Sequence, residues 1–192
     1  MFPVMKRLVN ICICHILYHV KYENTEELNK YERCMICPNH TSIFDPFFIY
    51  PKTDNIYIMA KSELFKNPFL RHAFKRYNVF PIQREKRDVS GVKYVMDLFN
   101  NNEKIKLLMF PEGGILKEGR RKRIKTGAIH LASTLKVPII PVSISENPKI
   151  FHKVTVTIKE PILPNEEVLQ NKEKLKEVSN ELLKVIYENS EM

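Results

Sequence analysis

Cys34-Met35-Ile36-Cys37-Pro38-Asn39-His40-Thr41-Ser42-Ile43-Phe44-Asp45 begins as an apolar run and breaks into a polar, hydroxyl-bearing turn. A short apolar run bounded in this way reads as a buried strand, and the switch to Asn, His, Thr and Ser marks its carboxyl end. In open α/β sheets, ligands gather at such ends. His40 and Asp45 supply a base and an orienter, because a neutral imidazole accepts a proton near pH 7 and a carboxylate on its other nitrogen fixes the tautomer. On a continuous helix the two side chains would point about 140° apart. Pro46 suits the first position of a helix and Asp45 its N-cap, so residues 40–44 are expected as a turn that folds His40 back onto Asp45. From this pair alone, a core histidine beside an ordinary helix cap remains the competing reading.

The pattern repeats outward from this stretch. Apolar or alternating runs at 55–60, 77–82, 105–110, 137–144 and 152–158 read as strands. Helical segments are expected at 46–50, from Lys61 to Phe74 with a break at Asn67-Pro68, and from Asp88 on Val92, Val95, Met96 and Phe99. Two more follow at 126–136 and from Glu166 to Tyr187, the last on Val168, Leu175, Val178, Leu182 and Ile186. Strands alternating with helices predict an α/β fold, a single domain with a largely parallel mixed sheet flanked by helices. Two prolines in Val137–Ile144 predict an irregular strand, since proline is confined to edges, strand starts and bulges.

At 192 residues and 44% hydrophobic content the chain has room for one full core. The net charge is +9, from 31 Lys and Arg against 22 Asp and Glu. Such a balance attracts nucleic acid, anionic membrane or anionic ligands without choosing among them. The basic run from Arg120 to Lys125 has little aromatic interleaving and no helix-turn-helix or zinc-finger pattern beside it. That argues against nucleic acid and for a clamp on anionic head groups or an acidic acyl carrier, with a solvated loop as the alternative. Cys12, Cys14, Cys34 and Cys37 have C-x-C and C-x2-C spacings but lie in apolar stretches. They are expected as small buried hydrophobes in reduced form, and no metal is expected.

Residues 1–20, MFPVMKRLVNICICHILYHV, are too interrupted by Lys6, Arg7, Asn10, His15 and His19 for a spanning helix, which needs about 20 predominantly apolar residues. On a helical wheel Phe2, Met5, Val9, Cys12, Ile13, Ile16 and Val20 share one side. The expectation is an amphipathic membrane-associating helix over 1–20, followed by a catalytic domain over 21–192 with a polar connector at 21–33.

Three further stretches stand where strands end. Arg84 follows the third strand, with Lys86 and Arg87 close by; its guanidinium suits bidentate phosphate binding. Glu112-Gly113-Gly114 follows the fourth, where glycine lets backbone approach a ligand closely. No P-loop, G-x-G-x-x-G, G-x-S-x-G or H-E-x-x-H is present, which removes most nucleotide hydrolases, Rossmann oxidoreductases, α/β-hydrolases and common zinc proteases.

Taken together the blocks resemble those of the glycerolipid acyltransferases, in particular the 1-acyl-sn-glycerol-3-phosphate acyltransferases. Asn39-His40 through Asp45 matches N-H-x4-D, and Phe80-Pro81-Ile82-Gln83-Arg84 the region with an arginine after an apolar strand. Phe110-Pro111-Glu112-Gly113 matches F-P-E-G, and Val137-Pro138-Ile139-Ile140-Pro141-Val142 matches V-P-I-x-P-V. Ala60-Lys61-Ser62-Glu63-Leu64-Phe65 is also similar to the family. One departure is clear: the family continues F-P-E-G with Thr-Arg or Ser-Arg, whereas Gly114-Ile115-Leu116 stands here, with Arg120, Arg121 or Arg123 as replacement cations.

The resemblance implies acyl transfer from a thioester, acyl-CoA or acyl carrier protein, to the hydroxyl of a lysophospholipid, with His40 as general base and Asp45 as its orienter. It implies substrate contacts from Arg84, Glu112, Gly113 and Lys61, and no cofactor beyond the acyl donor. It also implies a membrane surface as partner, at the cytoplasmic face, with a peripheral or monotopic association. The alternatives are another lysophospholipid or glycerol 3-phosphate as acceptor, or a peripheral membrane-binding protein of the same fold without activity.

Overall fold

The alternation of apolar runs and helical segments resolves into one seven-stranded sheet in a computed structural model that describes residues 2–83, 89–116, 124–145 and 147–188. The strands are β1 (His19–Glu23), β2 (Arg33–Pro38), β3 (Ile56–Lys61), β4 (Val79–Ile82), β5 (Ile105–Leu108), β6 (Ile139–Ile144) and β7 (Lys153–Ile158). Their order is β1-β7-β6-β2-β5-β3-β4. From β6 to β4 all neighbours are parallel; β7 runs antiparallel to β6, and β1 runs parallel to β7. The sheet is mixed and mostly parallel, as the alternation predicts. β2 lies at its centre, paired on both sides.

The helices are α1 (Phe2–Val9), α2 (Glu27–Lys30), α3 (Asp45–Ile49), α4 (Pro68–Arg76), α5 (Val89–Asn101), α6 (Gly127–Leu135), α7 (Glu167–Gln170) and α8 (Lys172–Tyr187). α1 continues as a π-helix, Asn10–Leu17. Strand residues alternate between two cores because successive side chains point to opposite faces. Cys34, Ile36, Ile58 and Ile140 pack with Cys14, Tyr18, Leu28 and Phe48 on one face. Met35, Leu107 and Ile139 pack with Val95, Phe99, Ile129, Leu182 and Ile186 on the other. Covering both faces explains why Cys34–Cys37 of β2 reads as an unbroken apolar run, while Lys106 in β5 is buried with its ammonium bonded to Leu28 O, Asn29 Oδ1 and Thr53 Oγ1.

Several expected elements differ in detail. The N-terminal helix ends at Leu17, and Val20 lies in β1 opposite Val154, so the 20/21 boundary falls inside a strand and residues 21–33 are not merely a connector. The i→i+5 bonding of the π-helix, seen in Tyr18 N–H to Ile13 O at 2.9 Å, shifts the phase of the side chains. Val9 and Cys14 face the core, while Val4, Leu8, Ile11 and Ile16 face outward. The outward face is therefore not the one drawn on a regular helical wheel. On α5, Val95 and Phe99 are buried but Val92 and Met96 are exposed. The C-terminal helix is broken at Asn171, whose Oδ1 accepts from the Glu173 and Lys174 N–H groups and caps α8.

β6 is a fully buried interior strand despite its proline. Pro141 pairs with Cys37 on the β2 side, and its carbonyl accepts from Lys159 N–H at 2.9 Å on the other. Only the reciprocal bond is forfeited, and it falls one residue past the end of β7, where the regular ladder has already stopped.

Candidate active site

The site is built on the turn that leaves β2. Asn39 is fully buried, and its side chain spans the gap to β6: Nδ2 donates to Ile144 O and Oδ1 accepts from Ile144 N–H, both at 2.7 Å. This two-way bond fixes where His40 begins. His40 Nδ1 lies 2.9 Å from Asp45 Oδ2. A carboxylate only accepts, so the proton sits on Nδ1 and the Nε2 lone pair is left for a substrate.

Asp45 is fully buried at the first residue of α3. It is not the helix cap that the sequence suggests. Phe44 precedes the helix without any side-chain cap, and the carboxylate turns back instead. Its Oδ2 accepts from Thr41 N–H at 2.7 Å and Ser42 N–H at 2.8 Å, together with the imidazole. These bonds close residues 40–45 into the compact turn that a five-residue spacing demands. Two backbone donors and the imidazole N–H offset the cost of a buried carboxylate.

Glu112 is the second carboxylate. It follows β5, and its Oε2 accepts from the backbone N–H of His40 at 2.9 Å. Its Oε1 accepts from the hydroxyl of Tyr187 at the end of α8. The Phe110 ring stacks on the imidazole, with centroids 3.8 Å apart and planes 18° from parallel. His40 is thereby held on three sides: by Asp45 at the ring, Phe110 on its face and Glu112 at the backbone. Gly113 sits in the same turn with φ of +76°, a left-handed conformation that favours glycine.

His40, Asp45, Glu112 and Gly113 are thus brought together. Lys61 stands at the carboxyl end of β3, paired with Glu63 at 3.0 Å. Arg84, Lys86, Arg87 and the run 120–123 lie outside the described residues. Two clefts open at this end of the sheet and share Ile82 and Gln83. The smaller, about 260 Å³, borders Phe110 and Gly113; the larger, about 580 Å³, runs past Phe65 and Phe80 to Arg71 and Lys75 on α4.

Phe110 and Tyr187 are contacts that sequence reasoning did not assign. Phe110 belongs to the F-P-E-G stretch, but its stacking partner His40 lies in the turn after a different strand, β2. Tyr187 is 75 positions from Glu112 and carries no local signal. The four cysteines are unpaired thiols. Cys34 and Cys37 point into opposite cores, and burial pushes the Cys34 thiol up to about 12 and raises that of Cys37.

A family model for the Acyltransferase family matches residues 19–145, a span that holds His40, Asp45, Glu112 and the whole of β6. The chain belongs to the Acyltransferase family. A 1-acyl-sn-glycerol-3-phosphate acyltransferase of Streptococcus pneumoniae is 28% identical over 145 residues, covering 74% of this chain and 53% of that protein. The Bacillus subtilis enzyme of the same name is 29% identical over 144 residues, covering 66% of this chain and 70% of its own. The chain thus spans about half the length of its Streptococcus relative. The crystal structure of the 1-acyl-sn-glycerophosphate acyltransferase PlsC from Thermotoga maritima superposes with a TM-score of 0.73 at 24% identity. It covers 95% of this acyltransferase-family chain and 76% of PlsC, so the two share a fold.

Proposed function

We propose that this chain moves a fatty acyl group from an acyl thioester to the free hydroxyl of 1-acyl-sn-glycerol 3-phosphate, giving phosphatidic acid. The observation that carries the reading is the His40–Asp45 pair, held in one tautomer at the end of the central strand of an acyltransferase-family chain.

His40 Nε2 takes the acceptor hydroxyl proton as the oxygen attacks the thioester carbonyl carbon. The tetrahedral intermediate collapses with cleavage of the C–S bond, and the departing thiolate receives the proton from Nε2. Asp45 holds the imidazole and stabilises the imidazolium between these steps. General acid–base assistance of this kind contributes about 10²–10⁴-fold. Juxtaposing two substrates contributes at least as much. Transfer is direct, with no acyl-enzyme: Cys14, Cys34 and Cys37 are buried, burial raises the thiols of Cys34 and Cys37, the reverse of an activated nucleophile, and exposed Cys12 lies on the N-terminal π-helix rather than on the turns that hold His40. Glu112 and Gly113 shape the acceptor side, and Lys61 and Arg84 supply cations toward the acceptor phosphate. The acyl donor is acyl-CoA or acyl carrier protein, and no further cofactor is needed.

The acceptor lives in a bilayer, and the reading has the chain working peripherally at the cytoplasmic face of the membrane. Among the described residues, no helix is long and apolar enough to cross a membrane. The outward apolar residues of α1 and its π-helical continuation, with the net charge of +9, support attachment to an anionic surface.

The test is direct. Purified protein, anionic vesicles, labelled lysophosphatidate and either thioester donor are expected to give labelled phosphatidic acid. Absence of diacyl product with both donors contradicts the assignment.

A further inference from the structure

The smaller cleft beside Phe110 has a chemical character that the His40–Asp45 pair does not use. Met59, Ile82, Val92, Met109 and Phe110 give it an apolar wall. Among the described residues lining it, Lys125 is the single charged side chain. The backbone fixes that lysine: its N–H donates to Pro111 O at 2.9 Å, tying it to the Phe110–Gly113 turn. Its stem then lies across Gly113, so closely that a Cβ there would fall 2.9 Å from both Cε and Nζ. The ammonium forms no ion pair with another described residue. It sits at the mouth of the cleft, one residue from the N-cap of α6, whose first N–H groups add a partial positive charge.

We infer that Lys125 is a further residue of this chain that recognises the acceptor phosphate, beside Lys61 and Arg84, with the cleft between Phe110 and Lys125 receiving the glycerol phosphate head of the lysophospholipid. The inference rests on the acyltransferase reading above and deepens it. A phosphomonoester needs a cation that is not already neutralised, and Gly114, Ile115 and Leu116 bring none to this turn. Lys125 brings one from nine residues beyond Leu116, at the end of the basic run. Gly113 is then required twice: once for its positive φ, and once because any side chain would displace the lysine stem. The ring of Phe110 touches His40 on one side and lines this cleft.

The same ammonium could serve the phosphates of a CoA donor, and the experiment separates the two. Lys125→Met keeps the length of the stem and removes the charge; Lys125→Arg keeps the charge. Steady-state rates are measured with lysophosphatidate, with neutral 1-acylglycerol and with varied acyl-CoA. Lys125→Met is expected to raise KM for lysophosphatidate about tenfold or more, the scale of one charge-assisted hydrogen bond. Its kcat and its KM for acyl-CoA stay near wild type, the preference over 1-acylglycerol collapses, and Lys125→Arg restores that preference. An unchanged lysophosphatidate KM, an equal loss with the neutral acceptor, or a shift in the acyl-CoA KM instead overturns the inference. Binding of lysophosphatidate to the His40→Ala protein is measured in parallel. If no turnover is seen even in the wild type, the acyltransferase reading fails by itself. Lys125→Met in that background still decides this one: about tenfold weaker binding upholds it, and unchanged binding overturns it.

Discussion

At the scale of single residues, Asp45 concentrates its role in one atom. Oδ2 receives the imidazole and two backbone N–H groups, while Oδ1 has no hydrogen-bond partner among the described residues. One oxygen therefore both closes the turn and orients the ring. Gly113 is the other residue whose identity the backbone dictates. At φ of +76° an L side chain costs about 1–2 kcal/mol, and the added Cβ would also push Lys125 aside. Gly113→Ala is expected to lower stability by about that amount in urea unfolding and to reduce kcat/KM for lysophosphatidate beyond what the lost stability explains. Unchanged unfolding and unchanged kinetics would show that this turn tolerates a side chain. Gly113 was legible because glycine after a strand has few other uses. Lys125 was not, because it closes a run of cations that reads equally well as solvated surface.

At the scale of elements, three pieces distant in sequence converge on one backbone N–H. The turn after β2 offers His40 N–H, the turn after β5 brings Glu112 to it, and the last turn of α8 brings Tyr187 to Glu112. Tyr187 is thus a positioning residue, two bonds removed from the imidazole. Tyr187→Phe keeps the ring packed in the second core and removes the hydroxyl. It is expected to lower kcat several-fold with little change in melting temperature; an unchanged kcat would show that Glu112 holds its place without the tyrosine. The central elements were readable because burial on both faces leaves an unbroken apolar run, as in Cys34–Cys37 and Ile139–Val142. β1 was hidden for the opposite reason. Its sequence, His19-Val20-Lys21-Tyr22-Glu23, belongs to an edge strand with only Val20 buried, and exposed Lys21 with half-buried Glu23 mimics a connector. The prolines misled because Pro138 lies before β6 and proline is costly only where its missing N–H would meet a partner, and at Pro141 the partner strand has just ended.

At the scale of the whole molecule, the strand order places β2 between β5 and β6, so the turns that leave those strands meet the β2 turn. Ile144 anchors Asn39 from one side, and Phe110 and Glu112 hold His40 from the other. The membrane-facing surface is also a property of the assembled fold. Deleting residues 1–20 would remove Val9, Cys14, Tyr18 and Val20 from the core and so confuse unfolding with detachment. Leu8 and Ile11, 56% and 41% exposed, can be changed without touching that core. Leu8→Glu with Ile11→Glu is expected to release the protein from anionic vesicles in a sedimentation assay while leaving its melting temperature near wild type. Retained binding would move the contact elsewhere on the surface. The central claim concerns His40, and single-turnover acyl transfer by His40→Ala tests it most directly. With wild-type circular dichroism and vesicle binding, the variant is predicted to lose at least a hundredfold in the rate of phosphatidic acid formation; a rate within a few-fold of wild type would contradict the account.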